Sequence, residues 1–335
     1  MKNHILDGVM GLCVADALGV PVEFQRRDTL KRNPVEGMRA FGTHGQPAGT
    51  WSDDTSMTLA FMDGLQQSIG KGKSPNIDYH IIMKNFNLWL REARFTPHGE
   101  VFDVGNATRE ALIRFQKGVS PLVCGGTTEK DNGNGSLMRI LPVAFYIHSL
   151  YESDETKYND AMDLVHRVSS LTHAHKRSLI ACGIYVSIAC EILSGKSLQL
   201  SIDHGIKRAI AYYRGLEIEQ QFDLSGELSH FERLLDTESF AALRVDSIKS
   251  SGYVVDTLEA AIWCLCNTTR YRDCIIKAVN LGEDTDTVAA VAGGLAGLHY
   301  GMKSIPTEWI EQIVKREYIE NLCHALHDSL YKTID

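Results

Sequence analysis

Helical periodicity is the feature of this sequence that most limits its fold. Apolar residues recur at spacings of three and four through most of the chain, and the two-residue alternation of half-buried strands is nearly absent. In residues 54–69, for example, Met57, Phe61 and Leu65 would share one buried face of a helix. Glycine and proline fall between such segments, as in residues 70–75. The sequence therefore predicts an all-α fold.

The predicted helices cover most of the chain. They span residues 5–18, 54–69, 77–90, 106–116, 136–150, 157–170, 176–193, 198–212, 254–266, 271–281, 286–300 and 307–331. No linker, repeat or low-complexity block separates them, so we expect one domain over residues 1–335. Residues 216–245 follow no clear pattern, and we interpret them as a candidate peripheral insertion.

Composition excludes several classes of protein. A chain of 335 residues, 44% of them hydrophobic, can bury a large core. A formal net charge of −8 disfavours a nucleic-acid-binding protein, because phosphate neutralisation needs clustered lysine and arginine. No apolar run approaches the roughly 18 residues of a membrane span, and no signal peptide is visible. The eight cysteines are scattered without a C-x-x-C pair, so we expect reduced thiols in a cytoplasmic protein.

The first of two acidic clusters lies in residues 49–55. It contains Ser52, Asp53 and Asp54 immediately before a predicted helix. Three adjacent side chains converge on one point only from a loop that turns into a helix, because neither a helix nor a strand points them the same way. The alternative is an N-terminal cap, since carboxylates there meet free N–H groups and the positive end of the helix dipole.

The second acidic cluster, residues 282–287, precedes the predicted helix 286–300. Asp284 and Asp286 would lie about 200° apart on a helix, so we place Asp284 in the loop and Asp286 in the first turn, with Thr287 adding a hydroxyl. Carboxylates and hydroxyls without cysteine or paired histidine suit Mg²⁺ or Mn²⁺. Four carboxylates can offset two dications, and such a pair can activate a water molecule.

Three other positions carry polar chemistry. Asn134, Gly135 and Ser136 form a turn before a predicted helix, where backbone N–H groups can hold a phosphate or simply cap the helix. His173 joins two predicted helices and is either satisfied by backbone or in contact with a ligand. Glu23 lies between apolar neighbours, where burial can raise the pKa of a general acid or base, or it is a surface glutamate at a helix exit.

Taken in this order, the motifs resemble the ADP-ribosylglycohydrolase family, which includes the dinitrogenase reductase–activating glycohydrolases. The resemblance covers about residues 5–301 and rests mainly on residues 51–55 and 282–287. Three further segments follow in the expected order: residues 134–139, 171–173 and 252–261.

The resemblance implies a compact orthogonal bundle of helices that holds two Mg²⁺ or Mn²⁺ ions. The implied metal ligands are Ser52, Asp53, Asp54, Asp284, Asp286 and Thr287. Glu23 and Asp103 correspond to catalytic or substrate-adjacent carboxylates, and neither can be preferred for proton transfer. The positions implied to lie near ADP-ribose are Asn134, Gly135, Ser136 and His173.

The implied activity is hydrolysis of the glycosidic bond at ribose C1″ that links ADP-ribose to a protein side chain. The partners would be an ADP-ribosylated protein and ADP-ribose, with arginine the favoured linkage. The alternatives are a hydrolase of serine-linked or free ADP-ribose derivatives, a dinuclear-metal phosphoesterase, and a non-catalytic ADP-ribose-binding member.

Three residues depart from the family pattern. Ala15 stands before Asp16 where glycine is usual, Ser52 replaces threonine but keeps the hydroxyl, and Glu283 replaces the second glycine of the C-terminal motif. None removes an expected ligand, and the role of Glu283 is open.

Overall fold

The computed structural model describes residues 3–69, 77–151, 155–218, 224 and 226–331, and it contains α-helices and short 3₁₀ helices without a β-strand in these residues. Numbered in chain order, the α-helices are α1 His4–Gly19, α2 Arg27–Arg32, α3 Asp53–Ile69, α4 Tyr79–Glu92, α5 Asn106–Gln116, α6 Leu141–Tyr151, α7 Tyr158–Ser170, α8 Lys176–Leu193, α9 Leu198–Ile218, α10 Thr237–Ala241, α11 Val254–Cys266, α12 Tyr271–Val279, α13 Thr285–Tyr300, α14 Thr307–Ile310 and α15 Arg316–Tyr331. The predicted all-α fold is confirmed.

Most helix ends match the sequence pattern. Helices α5, α8 and α11 begin and end at the predicted residues, α4 is shifted by two residues, and α9 runs six residues further. The prediction of one helix over residues 136–150 is wrong, because residues 137–139 form a 3₁₀ turn and α6 begins at Leu141. Pro142 explains this break, since it has no N–H to donate to the carbonyl four residues before it.

The prediction of one helix over residues 307–331 is also wrong. The chain leaves the helix after Ile310 and re-enters it at Arg316. In between, the Val314 N–H donates to the Gly49 carbonyl at 3.1 Å, and the Trp51 indole donates to the Val314 carbonyl at 2.9 Å. The break therefore supports the loop that carries the first acidic cluster.

Helices α1 and α13 form the central pair of the core. A methyl group at Gly11 would lie 2.4 Å from the Gly293 carbonyl oxygen, and one at Gly297 would lie 2.4 Å from the Asp7 carbonyl oxygen. The helix backbones are thus in direct contact, which glycine permits because it has no Cβ. The contact continues to Gly19, where a methyl group would lie 2.3 Å from Asp286 Cα. This crossing places the end of α1 against the second acidic cluster.

Asp16 of α1 fixes the first acidic cluster beside the second. Its carboxylate accepts hydrogen bonds from the Ser52 N–H at 3.0 Å, the Thr55 N–H at 3.1 Å and the Thr55 hydroxyl at 2.6 Å. Asp16 is fully buried, and burial raises its pKa to about 6 although these hydrogen bonds lower it. One side chain of α1 therefore orients the start of α3.

The expectation that no apolar run approaches the length of a membrane span is wrong for His4–Val22, which is long and apolar enough to cross a membrane. However, 94% of its most apolar window is buried in the fold. This is the burial of a core helix, as its contact with α13 requires. The eight cysteines are all free, as predicted. The cytoplasmic location stays a prediction.

The proposed insertion over residues 216–245 lies partly outside the described residues. Its described part contains the 3₁₀ helix Glu227–Leu235 and α10, with Phe231 and Phe240 buried. Arg233 reaches from it to Glu259 of α11, with 3.1 Å between Nη1 and Oε2. That this segment is an insertion stays a prediction.

Candidate active site

A cavity of about 300 Å³ lies between the start of α3, the start of α13 and the residues that follow the C-terminal end of α1. Eight of the residues predicted from the sequence line it: Glu23, Asp53, Asp103, Asn134, Gly135, His173, Asp284 and Thr287. Ser52, Asp54 and Asp286 do not line the cavity but are buried. Residues from both ends of the sequence therefore converge at one place, as predicted.

The two acidic clusters are joined directly. Asp54 Oδ2 accepts a hydrogen bond from the Ser52 hydroxyl at 3.2 Å and another from the Thr287 hydroxyl at 3.2 Å. Carboxylate oxygens of Glu23, Asp284 and Asp286 lie within 4.8 Å of one another. The clusters thus form a single group of oxygen ligands.

This group has unpartnered oxygens that a cation would satisfy. Asp54 Oδ1, Asp284 Oδ1 and Asp286 Oδ2 are buried without a hydrogen-bond partner. A buried carboxylate oxygen is costly unless it is paired or bound to metal. Burial first, and then repulsion from neighbouring carboxylates, raises the pKa of Asp54 and Asp286 well above its usual value. The donor set is that of a hard divalent cation site, and it fits the implied metals.

The side chain of Asp284 does not act as a cap of α13. Asp284 occupies the N-cap position of α13, but its side chain makes no capping hydrogen bond there. Instead, Asp284 Oδ2 accepts from the Asn134 amide at 2.8 Å. The same amide donates to the Thr257 hydroxyl at 2.9 Å, so Asn134 holds the carboxylate toward the cavity from across the fold.

Glu23 is buried and paired with a histidine. Its Oε2 is hydrogen-bonded to His44 Nε2, and burial raises the pKa of Glu23 to about 7, with Asp103 and Asp284 adding to the rise and the His44 hydrogen bond opposing it. The same hydrogen bond raises the pKa of His44. Ligand atoms of Glu23, His44 and Asp103 lie within 4.8 Å of one another. The surface-glutamate alternative is therefore wrong.

His44 is the functional candidate that sequence reasoning missed. It lies in the turn Phe41–Gln46, which has no recognisable motif. The turn docks through Thr43, whose N–H donates to the Pro21 carbonyl at 3.0 Å and whose hydroxyl donates to the Glu23 carbonyl at 2.7 Å. Only tertiary contact brings His44 to Glu23.

His173 enters the cavity as a neutral imidazole. Burial, with the nearby Arg139, lowers the pKa of His173 to about 3. Its Nδ1 is 2.7 Å from the Thr172 hydroxyl, and its Nε2 would be 3.6 Å from a methyl group placed on Gly133. The imidazole thus faces the glycine turn. The nearby His175 caps α8, because its Nδ1 accepts a hydrogen bond from the Arg177 N–H at 3.3 Å.

The turn before α6 presents backbone and amide to the cavity. A methyl group on Gly135 would lie 2.9 Å from His173 Cε1, so only glycine fits between these elements. Ser136 is not brought to the cavity: its hydroxyl is fully buried, 3.5 Å from the Cys182 sulfur. Lys130 lines the cavity and also an adjoining cavity of about 640 Å³. Lys130 was missed because its neighbours form no anion-binding motif.

Comparison with known proteins identifies the family. The sequence model of the ADP-ribosylglycohydrolase family matches residues 1–334. This chain belongs to the ADP-ribosylglycohydrolase family. The resemblance drawn from the acidic clusters is confirmed.

Relatives of this glycohydrolase cover nearly the whole chain. ADP-ribosylarginine hydrolase Tri1 of Pseudomonas putida (strain GB-1) is 33% identical over 322 residues, which is 96% of this chain and 76% of the relative. ADP-ribosyl-[dinitrogen reductase] glycohydrolase of Rhodospirillum rubrum is 28% identical, over 95% of this chain and 93% of the relative. A solved structure described as an ADP-ribosylglycohydrolase-related protein complex superposes with a TM-score of 0.74 and 30% identity, over 98% of both chains.

The structure explains one departure of this glycohydrolase from the family pattern. Glu283 adopts φ 63°, a left-handed conformation that favours glycine, and it follows Gly282 at φ 80°. Glycine at position 283 would adopt this backbone without strain. Glu283 is exposed and lies outside the group of unpartnered oxygens, so its charge is added at the surface beside the site.

Proposed function

We propose that this glycohydrolase removes ADP-ribose from a modified protein side chain, arginine in the first place, by hydrolysing the glycosidic bond at ribose C1″. The observation that carries the proposal is the set of buried, unpartnered carboxylate oxygens at the cavity, contributed by clusters more than 200 positions apart in the sequence. Such a set has no structural use in the described fold, but it matches the oxygen ligands of hard dications.

The proposed ligands of two Mg²⁺ or Mn²⁺ ions are Ser52, Asp53, Asp54, Asp284, Asp286 and Thr287. Bound ions of this kind would hold the ribose hydroxyls and activate a water molecule. Asn134 orients Asp284, and Asp16 orients the residues from Ser52 to Thr55. The side chains thus form a negatively charged surface that would face the ribose and is in place before the metal ions bind.

Glu23 and Asp103 are the proposed proton carriers. Both line the cavity, and neither is needed to balance the charge of the two proposed dications, because four aspartates already do so. His44 supports Glu23 by its hydrogen bond. A general acid or base acts best when its pKa is near the working pH, and a carboxyl with a pKa of about 7 meets this condition.

The diphosphate is proposed to bind on the side of Lys130 and the turn Gly133–Gly135. Lys130 supplies a positive charge, and neutral His173 can donate from its Nε2. The adjoining cavity, which shares Lys130, Asn106 and Ala107, extends the space on this side. Room for the rest of an extended nucleotide therefore lies away from Glu23.

Arginine is preferred as the linked residue because of the relatives. Proteins named ADP-ribosylarginine hydrolase Tri1, from Pseudomonas putida and Serratia proteamaculans, are 33% and 32% identical to this chain. Human ADP-ribosylhydrolase ARH3, whose name specifies no linked residue, is 24% identical over 60% of the chain.

The test is hydrolysis of an ADP-ribosyl-arginine protein and an ADP-ribosyl-serine peptide, each with Mg²⁺, Mn²⁺ or EDTA, with products identified by mass spectrometry. We expect metal-dependent release of free ADP-ribose from the arginine substrate. Release from serine alone would overturn the choice of linkage. AMP with ribose phosphate as products would instead support a phosphoesterase, and metal binding without release would support a binding protein.

A further inference from the structure

An exposed aromatic side chain stands at the acidic side of the cavity. Phe24 lines the cavity next to Glu23, yet 66% of its side chain is exposed. Its backbone has φ 63°, a conformation that is unusual for a bulky residue and that costs free energy. Phenylalanine side chains are usually buried in folded proteins. The fold therefore maintains an arrangement that neither local backbone preference nor burial favours.

Two interlocked loops hold Phe24 in this place. The Phe24 N–H donates to the Glu283 carbonyl at 2.6 Å, and the Glu283 N–H donates to the Gln25 carbonyl at 2.8 Å. Glu283 is itself in the left-handed region, at φ 63°. A methyl group on Gly282 would lie 2.6 Å from the Arg27 backbone nitrogen, so the loops are in close contact. The position of Phe24 is thus set by the same loop that carries the second acidic cluster.

The Phe24 ring is the outer member of a row of three rings. Its centroid is 5.9 Å from that of His44, which is 5.2 Å from that of Phe102. His44 is in turn bonded to Glu23. The row therefore orients the ring of Phe24 relative to Glu23, while most of its surface remains available for a ligand.

The charges around Phe24 favour a cationic ligand group. Among the described residues, Lys130 is the one lysine or arginine that lines the cavity, and it belongs to the side shared with the adjoining cavity. Phe24 does not line that adjoining cavity. If four aspartates balance the two proposed dications, the carboxylate of Asp103, which lines the same cavity as Phe24, remains without a metal partner. An aromatic face beside carboxylates is the chemistry that recognises a guanidinium group.

We propose that Phe24 is a specificity residue that receives the guanidinium group of the modified arginine on its ring, and that Asp103, which lines the same cavity, favours this cationic leaving group. This inference rests on the proposed function and adds to it the residue that reads the linked side chain. The ADP-ribose part of the substrate would lie on the other side of the bond to be cleaved and would not contact Phe24.

Two measurements on purified full-length variants test the inference. The first is KM and kcat for free ADP-ribosyl-arginine with Mg²⁺, and the second is the Kd of ADP-ribose by calorimetry under the same conditions. For Phe24→Ala we expect KM to rise about 3- to 30-fold, the range of a cation–π contact, with the Kd of ADP-ribose unchanged within about twofold. Phe24→Trp should keep the wild-type KM, and Phe24→Leu should behave as Phe24→Ala.

Phe41 provides a matched control. It is 64% exposed with φ 68°, like Phe24, but it is not among the residues that line the cavity. Phe41→Ala should leave both constants unchanged. Because both side chains are exposed, thermal unfolding of the two alanine variants should match that of the wild type.

Five results would overturn the inference. Wild-type KM in Phe24→Leu would mean that apolar area alone is used, and an equal rise in KM for Phe41→Ala would mean that the effect is not local. An equal loss of ADP-ribose affinity in Phe24→Ala would place the ring against ADP-ribose. If the wild type releases no ADP-ribose from arginine, both the proposed function and the role of Phe24 are wrong. If the wild type is active and Phe24→Ala has the wild-type KM, only the role of Phe24 is wrong.

Discussion

At the scale of single residues, the site is a set of charges that the fold keeps without counter-charge. Asp54 illustrates this, since one of its oxygens accepts from Ser52 and Thr287 and the other is buried without a partner. A structural carboxylate would be fully satisfied by the protein, as Asp16 is by Ser52 and Thr55. This difference is the reason that we propose Asp54 as a metal ligand and Asp16 as a residue that supports the site.

Asp54→Asn tests the assignment of a ligand. The substitution keeps the side-chain shape but removes the charge, so we expect metal affinity and turnover to fall by at least about 100-fold, the upper end for residues that merely support a metal ligand. Calorimetry with Mg²⁺ or Mn²⁺ and the release of ADP-ribose measure the two effects. Asp63→Asn, on the same helix but bonded to Gln67 and Asn85, is the control and should change neither. Retained metal affinity in Asp54→Asn would contradict the assignment.

At the scale of helices, the ends decide both where the sequence-based predictions failed and where the proposed site lies. The predicted faces were correct because apolar periodicity survives in any fold that buries one side of a helix. The errors fell at ends, where a proline or a docking loop breaks a continuous pattern, as at Leu141 and between Ile310 and Arg316. The site is likewise built from ends, since the starts of α3 and α13 carry the proposed ligands, and Asp16 near the end of α1 orients the first of them.

Asp16→Ala should show that α1 positions the first cluster. The substitution leaves two backbone N–H groups and the Thr55 hydroxyl without their acceptor in a buried place, so we expect a loss of about 3 kcal/mol or more in the free energy of unfolding, with weaker metal binding. Denaturant unfolding and metal calorimetry measure these. Asp78→Ala is the control, since Asp78 is an exposed N-cap of α4 that accepts from His80 and Ile81. It should lose about 1 kcal/mol and no metal affinity.

Gly11→Ala tests the close crossing of α1 and α13. Its new methyl group would overlap the Gly293 carbonyl, so the helices must separate at a cost of about 1–3 kcal/mol, and turnover should fall because the separation displaces the start of α13. Unfolding by denaturant and steady-state kinetics measure the two effects. Gly215→Ala on α9 meets nothing within 4 Å and should be neutral or slightly stabilising. Equal behaviour of the two variants would contradict a tight crossing.

At the scale of the whole molecule, the fold stores unfavourable electrostatic energy at one place. Burial raises the pKa of Asp53, Asp54 and Asp286 well above its usual value, and that of Glu23 to about 7. Large apolar helices on all sides supply the low-dielectric surroundings that make this so. A bound dication would relieve the same repulsion, so metal binding and folding stability are coupled.

The metal-free protein should become less stable as the pH rises from about 6.5 to 8. A carboxyl with a raised pKa binds more protons in the folded than in the unfolded state, so the free energy of unfolding falls as the pH increases, by at most about 1.4 kcal/mol per pH unit for each such group. Buried His166 and His173, whose pKa is lowered to about 4 and about 3, destabilise the fold only below their unfolded pKa of about 6.5.

Thermal unfolding in EDTA and in Mg²⁺ across this pH range checks the prediction. We expect Tm to decrease with pH in EDTA and the stabilisation by Mg²⁺ to be larger at pH 8 than at pH 6.5. Asp54→Asn should reduce both effects. A Tm in EDTA that is constant or rises over this window would contradict the electrostatic account.

The sequence by itself determined the fold class and most helix positions, and it indicated the oxygen ligands that we propose. These follow from local patterns. The spacing of apolar residues predicts helices, and a short run of carboxylates before a helix indicates a cation site because carboxylates are ligands of hard cations. It also indicated Glu23, Asn134 and His173 as site residues, which line the cavity.

Tertiary structure decided what depends on contacts between distant residues. It brought His44 to Glu23, buried Ser136 away from the cavity, and broke the predicted helices where loops dock. It also decided which oxygens are left without a partner and which way Phe24 points. No local pattern records these facts, because burial, pKa and the pairing of polar atoms are properties of the space around a residue and that space is filled by other parts of the chain.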